Sequence, residues 1–534
     1  MPGGEAARVV GVAAGTTLVA LLLVSCNAGP GPGPIALFPG MQPPDRANPG
    51  GGAAPAPASP APARVIVTSN EAGKADRLPV PTPAGREPVV PALPGIDAVT
   101  AYAPATDPID AGPVLDDTVD TVTLPASAQR GRVVVRGTRF ASASARAGAD
   151  HPPPSGGLSI LQIGDSHTAA DFLTNQVRRR LQSQYGDGGP GYITAGRPHA
   201  GVRSSIMRVE ASEGWSYRAI QRGAEPSQFS LAGFAATTTR ATERLTFTAE
   251  HPLVYDLIEV EVVRQPGGGA IDVRVDDEVV VSNYSLAAAR PEAVILRQEA
   301  TSPARMSRIV VTSVGSGIVQ VSSVSARNRR HGVTVSSVGY PGATIDIVNR
   351  LPQNQFTAAI RRLDPQIVVL AFGTNEGFND NLDLSDYETS FRRAVRRVRA
   401  AVPNASIVVM APPSAHRLPG ACRAQQATAT CRGEGEPSAG SQSCAWQTPP
   451  RLDGVREVQR RVASAENLVF WNWADMMPRV CGAQAWASAS MRLMAADRVH
   501  FTTEGYRRTG DELVRVLGPV IDRFKVRPNV VSNH

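Results

Sequence analysis

Four short blocks carry side chains that together could break an ester: Gly164-Asp165-Ser166-His167, Gly339-Tyr340-Pro341-Gly342, Gly373-Thr374-Asn375-Glu376 and Asp497-Arg498-Val499-His500. Acyl transfer needs a nucleophile, a base, a group that orients the base, and donors for the oxyanion that develops in the transition state. Ser166 is the candidate nucleophile and His500 the candidate base. Asp497 would accept the hydrogen bond from His500 Nδ1, since a spacing of three lets both side chains leave one tight loop in the same direction. The Ser166 N–H, the Gly342 N–H and the Asn375 side-chain amide are the candidate oxyanion donors. Gly342 has no Cβ, so its backbone can approach a ligand closely. Each block alone has a plainer use: a serine capping a helix, a surface Asp-x-x-His loop, a turn after Pro341, an asparagine capping a loop. The ordered set, with each block where a strand is ending, argues for the chemistry. His167 competes as base, but as the immediate neighbour of Ser166 it is expected to point away from Oγ. His151, His199, His251, His331, His416 and His534 lack a carboxylate at comparable spacing and read as structural or solvent-exposed. No G-x-S-x-G elbow occurs, which argues against a lipase of the α/β-hydrolase type.

The elements that would position these groups alternate strand and helix. Leu158-Ser159-Ile160-Leu161-Gln162-Ile163 is a short apolar strand running into Gly164, and beyond the serine Leu173, Val177 and Leu181 recur at helical spacing, with Arg178, Arg179 and Arg180 on other faces. Ile367 to Phe372 repeats the pattern ahead of Gly373-Thr374-Asn375. Its helix is announced by Ser385-Asp386-Tyr387-Glu388, read as a capping box, with Tyr387, Phe391, Val395 and Val398 as one apolar stripe. Strands are expected at Ile407 to Met410 and Leu468 to Phe470, and a last helix from Thr503 to Phe524. Strands alternating with helices imply a parallel sheet covered on both faces. Between Ser204 and Arg330 the period changes to two, as at Ile271, Val273 and Val275, with Gly-, Pro- or Ala-rich turns between strand-like runs. That is the pattern of an inserted β-sandwich.

With these residues in this order, the chain resembles the SGNH hydrolases, also called GDSL-type esterases, over Leu158 to His199 and Val333 to Lys525. The resemblance implies a three-layer α/β/α sandwich with a five-stranded parallel sheet, no metal or other cofactor, and the site roles assigned above. His167 stands where the family usually has leucine. The Gly-Asp-Ser-His variant, the stretch Val499-His500-Phe501-Thr502-Thr503-Glu504-Gly505-Tyr506 and the inserted β-domain resemble the peptidoglycan O-acetylesterase branch, whose members act in the periplasm on the acetylated O6 of muramic acid. The expected product chemistry is acetate release through an acetyl-serine. An imidazole base implies an acid limb at about pH 6 to 7. Another carbohydrate or lipid esterase, an O-acetyltransferase and a non-catalytic envelope-binding lipoprotein remain alternatives. The expected domains are a signal peptide at 1–26, a Pro/Ala/Gly-rich disordered tether at 27–150, the hydrolase in two parts at 151–203 and 333–528, and an inserted, carbohydrate-binding-like β-sandwich at 204–332. Trp215, Tyr217 and Tyr255 of that insertion could stack on sugars, though core packing is their commoner use.

Composition and cysteines bear on location. The chain has 534 residues, 42% apolar, enough for two folded units plus unstructured chain. Lys and Arg number 54 against 47 Asp and Glu, a +7 excess spread along the chain that reads as a solvated surface and not as a nucleic-acid stripe. An apolar run from Val9 to Val24 is too short and interrupted for a comfortable membrane span and ends at Leu23-Val24-Ser25-Cys26, which resembles a lipobox with Cys26 as the lipid-modified residue. Removing Cys26 leaves Cys422, Cys431, Cys444 and Cys481, an even set suited to two disulfides in an oxidising compartment, with three possible pairings. Their spacing does not match a zinc site. Asn27 to His151 is rich in Pro, Ala and Gly, although Arg132-Val133-Val134-Val135-Arg136 could add a strand to the folded body.

Overall fold

The computed structural model describes residues 156–222, 229–420, 422, 426–427, 431–432 and 444–524, together with the backbone of 132–137. The expected signal peptide, Cys26 and nearly all of the expected tether lie outside these residues.

Five parallel strands form the catalytic sheet: β1 (Leu158–Gly164), β2 (Val333–Gly339), β3 (Ile367–Ala371), β4 (Ser406–Ala411) and β5 (Val469–Asn472), in the spatial order β2-β1-β3-β4-β5. Strand residues alternate between two cores, as a period of two demands. Leu158 and Ile160 of β1 and Ile367 and Val369 of β3 join one core with Leu173, Val177 and Leu181 and with Leu513, Val516 and Leu517 of the last helix. Leu161, Ile163, Val368 and Leu370 point the other way, into a core with helices Gln353–Leu363, Leu384–Ala401 and Leu452–Ala465. This is the expected α/β/α sandwich.

The second sheet is antiparallel and has ten strands. Two of them, Arg244–Arg264 and Glu292–Val314, run 21 and 23 residues, with register breaks between Glu299 and Ala304 and between Met306 and Arg308. Such breaks bend a strand, so one continuous sheet wraps a separate apolar core containing Phe247, Val260, Ile271, Val311 and Val324. The sheet takes in Gly191–Thr194, paired with Val319–Arg327, and so starts ahead of the expected boundary at 203/204. Arg132–Gly137 adds a strand antiparallel to Glu292–Val314, as its valines suggested. Trp215 and Tyr255 are buried in this core and Tyr217 packs against it, so these aromatics are used for packing.

A buried ionic network joins the two bodies. Glu259 accepts from Arg297 at 2.6 Å and Arg327 at 3.0 Å, while Arg362, on a catalytic-domain helix, reaches Glu261 at 2.9 Å and Arg327 Nη1 donates to Leu363 O at 2.8 Å. Burial alone would raise the Glu259 carboxyl, but the three surrounding guanidiniums hold it below its ordinary range.

The capping-box reading needs correction. The helix after β3 begins at Leu384 and is capped by Asp383, whose carboxylate accepts from Ser385 N at 2.8 Å and Asp386 N at 3.0 Å. Ser385 and Glu388 therefore form no capping box; the cap, Asp383, sits two residues earlier, and Glu388 pairs instead with Arg392 and Arg461. Arg178, off the apolar stripe of its helix, is nonetheless buried: it is 3% exposed, pairs with Asp171 at 3.1 Å and donates to Val335 O of β2.

Candidate active site

The four blocks converge at the C-terminal ends of β1, β2 and β3, where an open α/β sheet leaves its ligand crevice. Ser166 is the first residue of a short helix, Ser166–Ala169, directly after β1. Its Oγ lies 2.9 Å from His500 Nε2. His500 Nδ1 lies 2.7 Å from Asp497 Oδ2. A carboxylate can only accept, so Nδ1 carries the proton and Nε2 is left to accept from the serine. Asp497 is fixed in turn, with Oδ1 accepting from the Val499 and His500 N–H groups at 3.0 Å each. Burial would raise its carboxyl, yet the His500 hydrogen bond and these two amides bring it below the ordinary range, so it stays ionised. The loop is closed by Ala495 N to His500 O at 2.7 Å and pinched by Arg498, which adopts a left-handed φ of 55°.

The candidate oxyanion donors are built from neighbouring turns. Asp165 caps the helix and accepts from His167 N, which leaves the Ser166 N–H at a helix start without a partner among the described residues. Gly342 has a φ of +76°, so the backbone conformation itself calls for glycine, while a Cβ there would meet open space. Asn375 donates one amide hydrogen to Ala343 O at 2.8 Å, tying its side chain to the Gly342 turn and leaving its second N–H. The adjacent Glu376 accepts from Ile345 N at 2.7 Å. Two consecutive side chains after β3 thus clamp the turn after β2.

Three groups within the quoted blocks have roles that inspection of the blocks did not disclose. Burial pushes Glu376 up to about 7 and Asp165 up to about 6, against the backbone amides that favour their ionised forms. His167 is buried, with Nδ1 2.9 Å from Tyr506 Oη, and burial together with the His500 charge pushes it down to about 3. A ring that stays neutral and faces Tyr506 does not compete with His500 for the serine. The signal that could have found Asp165 and Glu376 was their own position, acidic residues flanking the functional one on a strand end, where burial is expected.

The cysteines pair as Cys422–Cys444 and Cys431–Cys481. The second bridge ends at the helix Gly482–Ser488, from which Gln484 accepts from Arg498 Nε at 3.1 Å, and Arg498 lies over the Trp446 ring at 4.3 Å. His416, expected to be structural or exposed, is buried; its ring lies 3.6 Å from Cys431 Sγ and its backbone N–H donates to Arg498 O at 2.9 Å. The disulfide region therefore braces the loop that carries Asp497 and His500.

A comparison with family models matches residues 315–508 to the GDSL-like lipase/acylhydrolase family, a span that includes the Gly342, Asn375 and Asp497-to-His500 blocks. Among solved structures, one titled "Peptidoglycan O-acetylesterase in action" aligns with 26% identity and a TM-score of 0.54, over 70% of this chain and 93% of that one. Family-two carbohydrate esterases from Clostridium thermocellum and Cellvibrio japonicus align at 10% and 11% identity, over 62% and 59% of this chain and 99% and 98% of theirs, with TM-scores of 0.25 and 0.23 too low to carry an argument. No curated protein matches in sequence. Fold, block order and family match together make the chain a carboxylic ester hydrolase with the SGNH fold. Within that class it resembles the peptidoglycan O-acetylesterase branch, the alignment taking in 93% of the solved chain.

Proposed function

We propose that the protein removes acetyl groups from the muramic acid O6 of peptidoglycan. The observation that carries the reading is the continuous relay from Ser166 through His500 to Asp497, at 2.9 and 2.7 Å. Ser166 Oγ attacks the acetyl carbonyl while His500 Nε2 takes its proton. The carbonyl oxygen becomes an oxyanion held by the Ser166 and Gly342 N–H groups and the Asn375 amide. Collapse expels the sugar alkoxide, which takes the proton from His500 and leaves as the alcohol. Water then attacks the acetyl-serine with His500 again as base, and acetate departs. Ionised Asp497 stabilises the imidazolium formed in each half and holds its orientation.

Substrate and location rest on the likeness to the solved peptidoglycan O-acetylesterase, and on the two disulfides, which suit an oxidising compartment outside the cytosol. In this reading Cys26 is lipid-modified and anchors the chain to a membrane facing the periplasm. Acetate release from O-acetylated peptidoglycan, run beside acetylated xylan, tests the assignment. Release from peptidoglycan that Ser166→Ala abolishes is the expected result. Turnover of a small activated acetate ester with no release from peptidoglycan would keep the serine esterase and discard the wall substrate.

A further inference from the structure

Ala343 N donates to Tyr340 O at 3.0 Å, which closes a four-residue turn with Pro341 and Gly342 at its centre. With proline second and a φ of +76° at the third position, it is a type II turn. Type I and type II turns differ by a flip of one unit, the central peptide, which here joins Pro341 to Gly342. Proline in second place suits either type and glycine accepts either φ, so these two residues leave the flip open. The flip matters because it reverses the direction of the Gly342 N–H. That N–H has no acceptor among the described residues, and Gly342 is exposed. Asn375 on Ala343 O and Glu376 on Ile345 N hold the far end of the turn, but neither bond is to the central peptide.

The bond to the central peptide comes from the antiparallel sheet. Gln221 Nε2 donates to Pro341 O at 3.2 Å. A carbonyl can only accept, so the amide end of Gln221 presents its NH₂ to it. Gln221 belongs to the short 3-10 turn Ile220–Arg222, directly after strand Ser216–Ala219 of the ten-stranded sheet. That 3-10 turn is pinned from both domains. Ile220 N donates to Gly233 O at 2.9 Å, and Arg350 Nη2, from the helix after the Gly342 turn, donates to Ile220 O at 2.9 Å. Tyr340 Oη donates to Leu231 O. Ala219, Ile220, Leu231 and Phe234 share one buried core with Tyr340, Ala343 and Ile345.

We propose that Gln221 is a positioning residue for the oxyanion hole, contributed by the antiparallel sheet. A trans peptide is planar, with its C=O and N–H pointing opposite ways, so a donor held on Pro341 O fixes where the Gly342 N–H points. The same hydrogen bond polarises that amide and strengthens its N–H as a donor. Gln221 acts through the Pro341–Gly342 peptide, on the charge that develops in the transition state and not on substrate binding. The inference rests on the reading of Gly342 as an oxyanion donor in an esterase that uses Ser166. It makes the antiparallel sheet part of the catalytic machinery, whatever else that sheet binds.

The test uses the full chain and a small activated acetate ester, assayed well below the melting temperature of every variant. Gln221→Met keeps the length of the side chain and removes the donor. Gln221→Glu keeps the shape and, once ionised, faces Pro341 O with acceptors only. In Gln221→Met kcat is expected to fall about tenfold with KM within about twofold, the scale of one hydrogen bond felt only in the transition state. In Gln221→Glu it should fall further, towards the loss of about 10² to 10³ that follows removal of an oxyanion donor. The acid limb of the pH profile should stay in place, because Asp497 and His500 are untouched. Wild-type kcat in both variants, with Ser166→Ala inactive, overturns the positioning role and leaves the esterase reading standing. A loss carried by KM, or a displaced acid limb, also overturns it. Turnover that persists in Ser166→Ala, or none in the wild type, overturns the esterase reading and this inference with it. If Gln221→Glu fails to fold, the split of kcat from KM in Gln221→Met decides alone.

Discussion

At the scale of single residues, the site separates charge by burial. Asp497 is kept ionised by His500 and two amides, while Glu376 and Asp165, deeper in the crevice, are pushed the other way. Asp497→Asn keeps the shape but removes the acceptor that sets the His500 tautomer, and kcat is expected to fall by about 10⁴-fold, as in other triads; a loss below tenfold would remove Asp497 from the relay. Glu376 makes a stability prediction. Its folded value of about 7 exceeds its ordinary 4.5, so the folded state binds more protons between those values and this group's contribution declines as pH rises from 4.5 to 7. Glu376→Gln keeps the acceptor for Ile345 N and removes the titration. The melting temperature of the variant relative to wild type should therefore be higher at pH 8 than at pH 4.5. An offset independent of pH would show that Glu376 does not titrate there.

At the scale of elements, the precision of the catalytic loop comes from outside it. The Cys431–Cys481 bridge anchors the helix that offers Gln484 to Arg498, the left-handed residue between Asp497 and His500. Replacing Cys431 and Cys481 together by serine should lower stability by about 2–5 kcal/mol and lower kcat on a small acetate ester more than it raises KM, since the loss is of positioning. Equal activity of the variant and the oxidised protein, measured well below either melting temperature, would free the loop from this brace. The four cysteines were legible as two disulfides, but three pairings were open, and only the course of the chain around His416 selects one. The capping error has the same origin: Asp383 and Ser385 are both good cap types two residues apart, and local sequence does not decide between them.

At the scale of the whole molecule, the inserted sheet and the sandwich are welded by Glu259, Glu261, Arg327 and Arg362. Glu259 lies below its ordinary value, so its contribution is present above about pH 4.5 and is lost as pH falls through the lower folded value. Glu259→Gln leaves buried guanidiniums without their charge partner, an expensive change. Calorimetry of that variant at pH 7 is expected to separate unfolding into two transitions where the wild type gives one; a single transition at an unchanged temperature would mean the network does not couple the domains.

What the amino-acid order determined by itself was whatever depends on contiguous residues: the strand and helix periods, the α/β sandwich, the change of period ahead of the second block, and Ser166, Gly342, Asn375, Asp497 and His500 as the candidate site residues. A strand's end, a glycine's freedom and an Asp-x-x-His spacing are local properties, and local properties are written in local sequence. The tertiary structure alone decided the distances between blocks that stand 334 residues apart, as Ser166 and His500 do. It alone decided which cysteines meet, that Arg178 is buried and that His167 turns to Tyr506. Each of those depends on desolvation or on partners brought from distant segments, and burial is a property of the assembled fold.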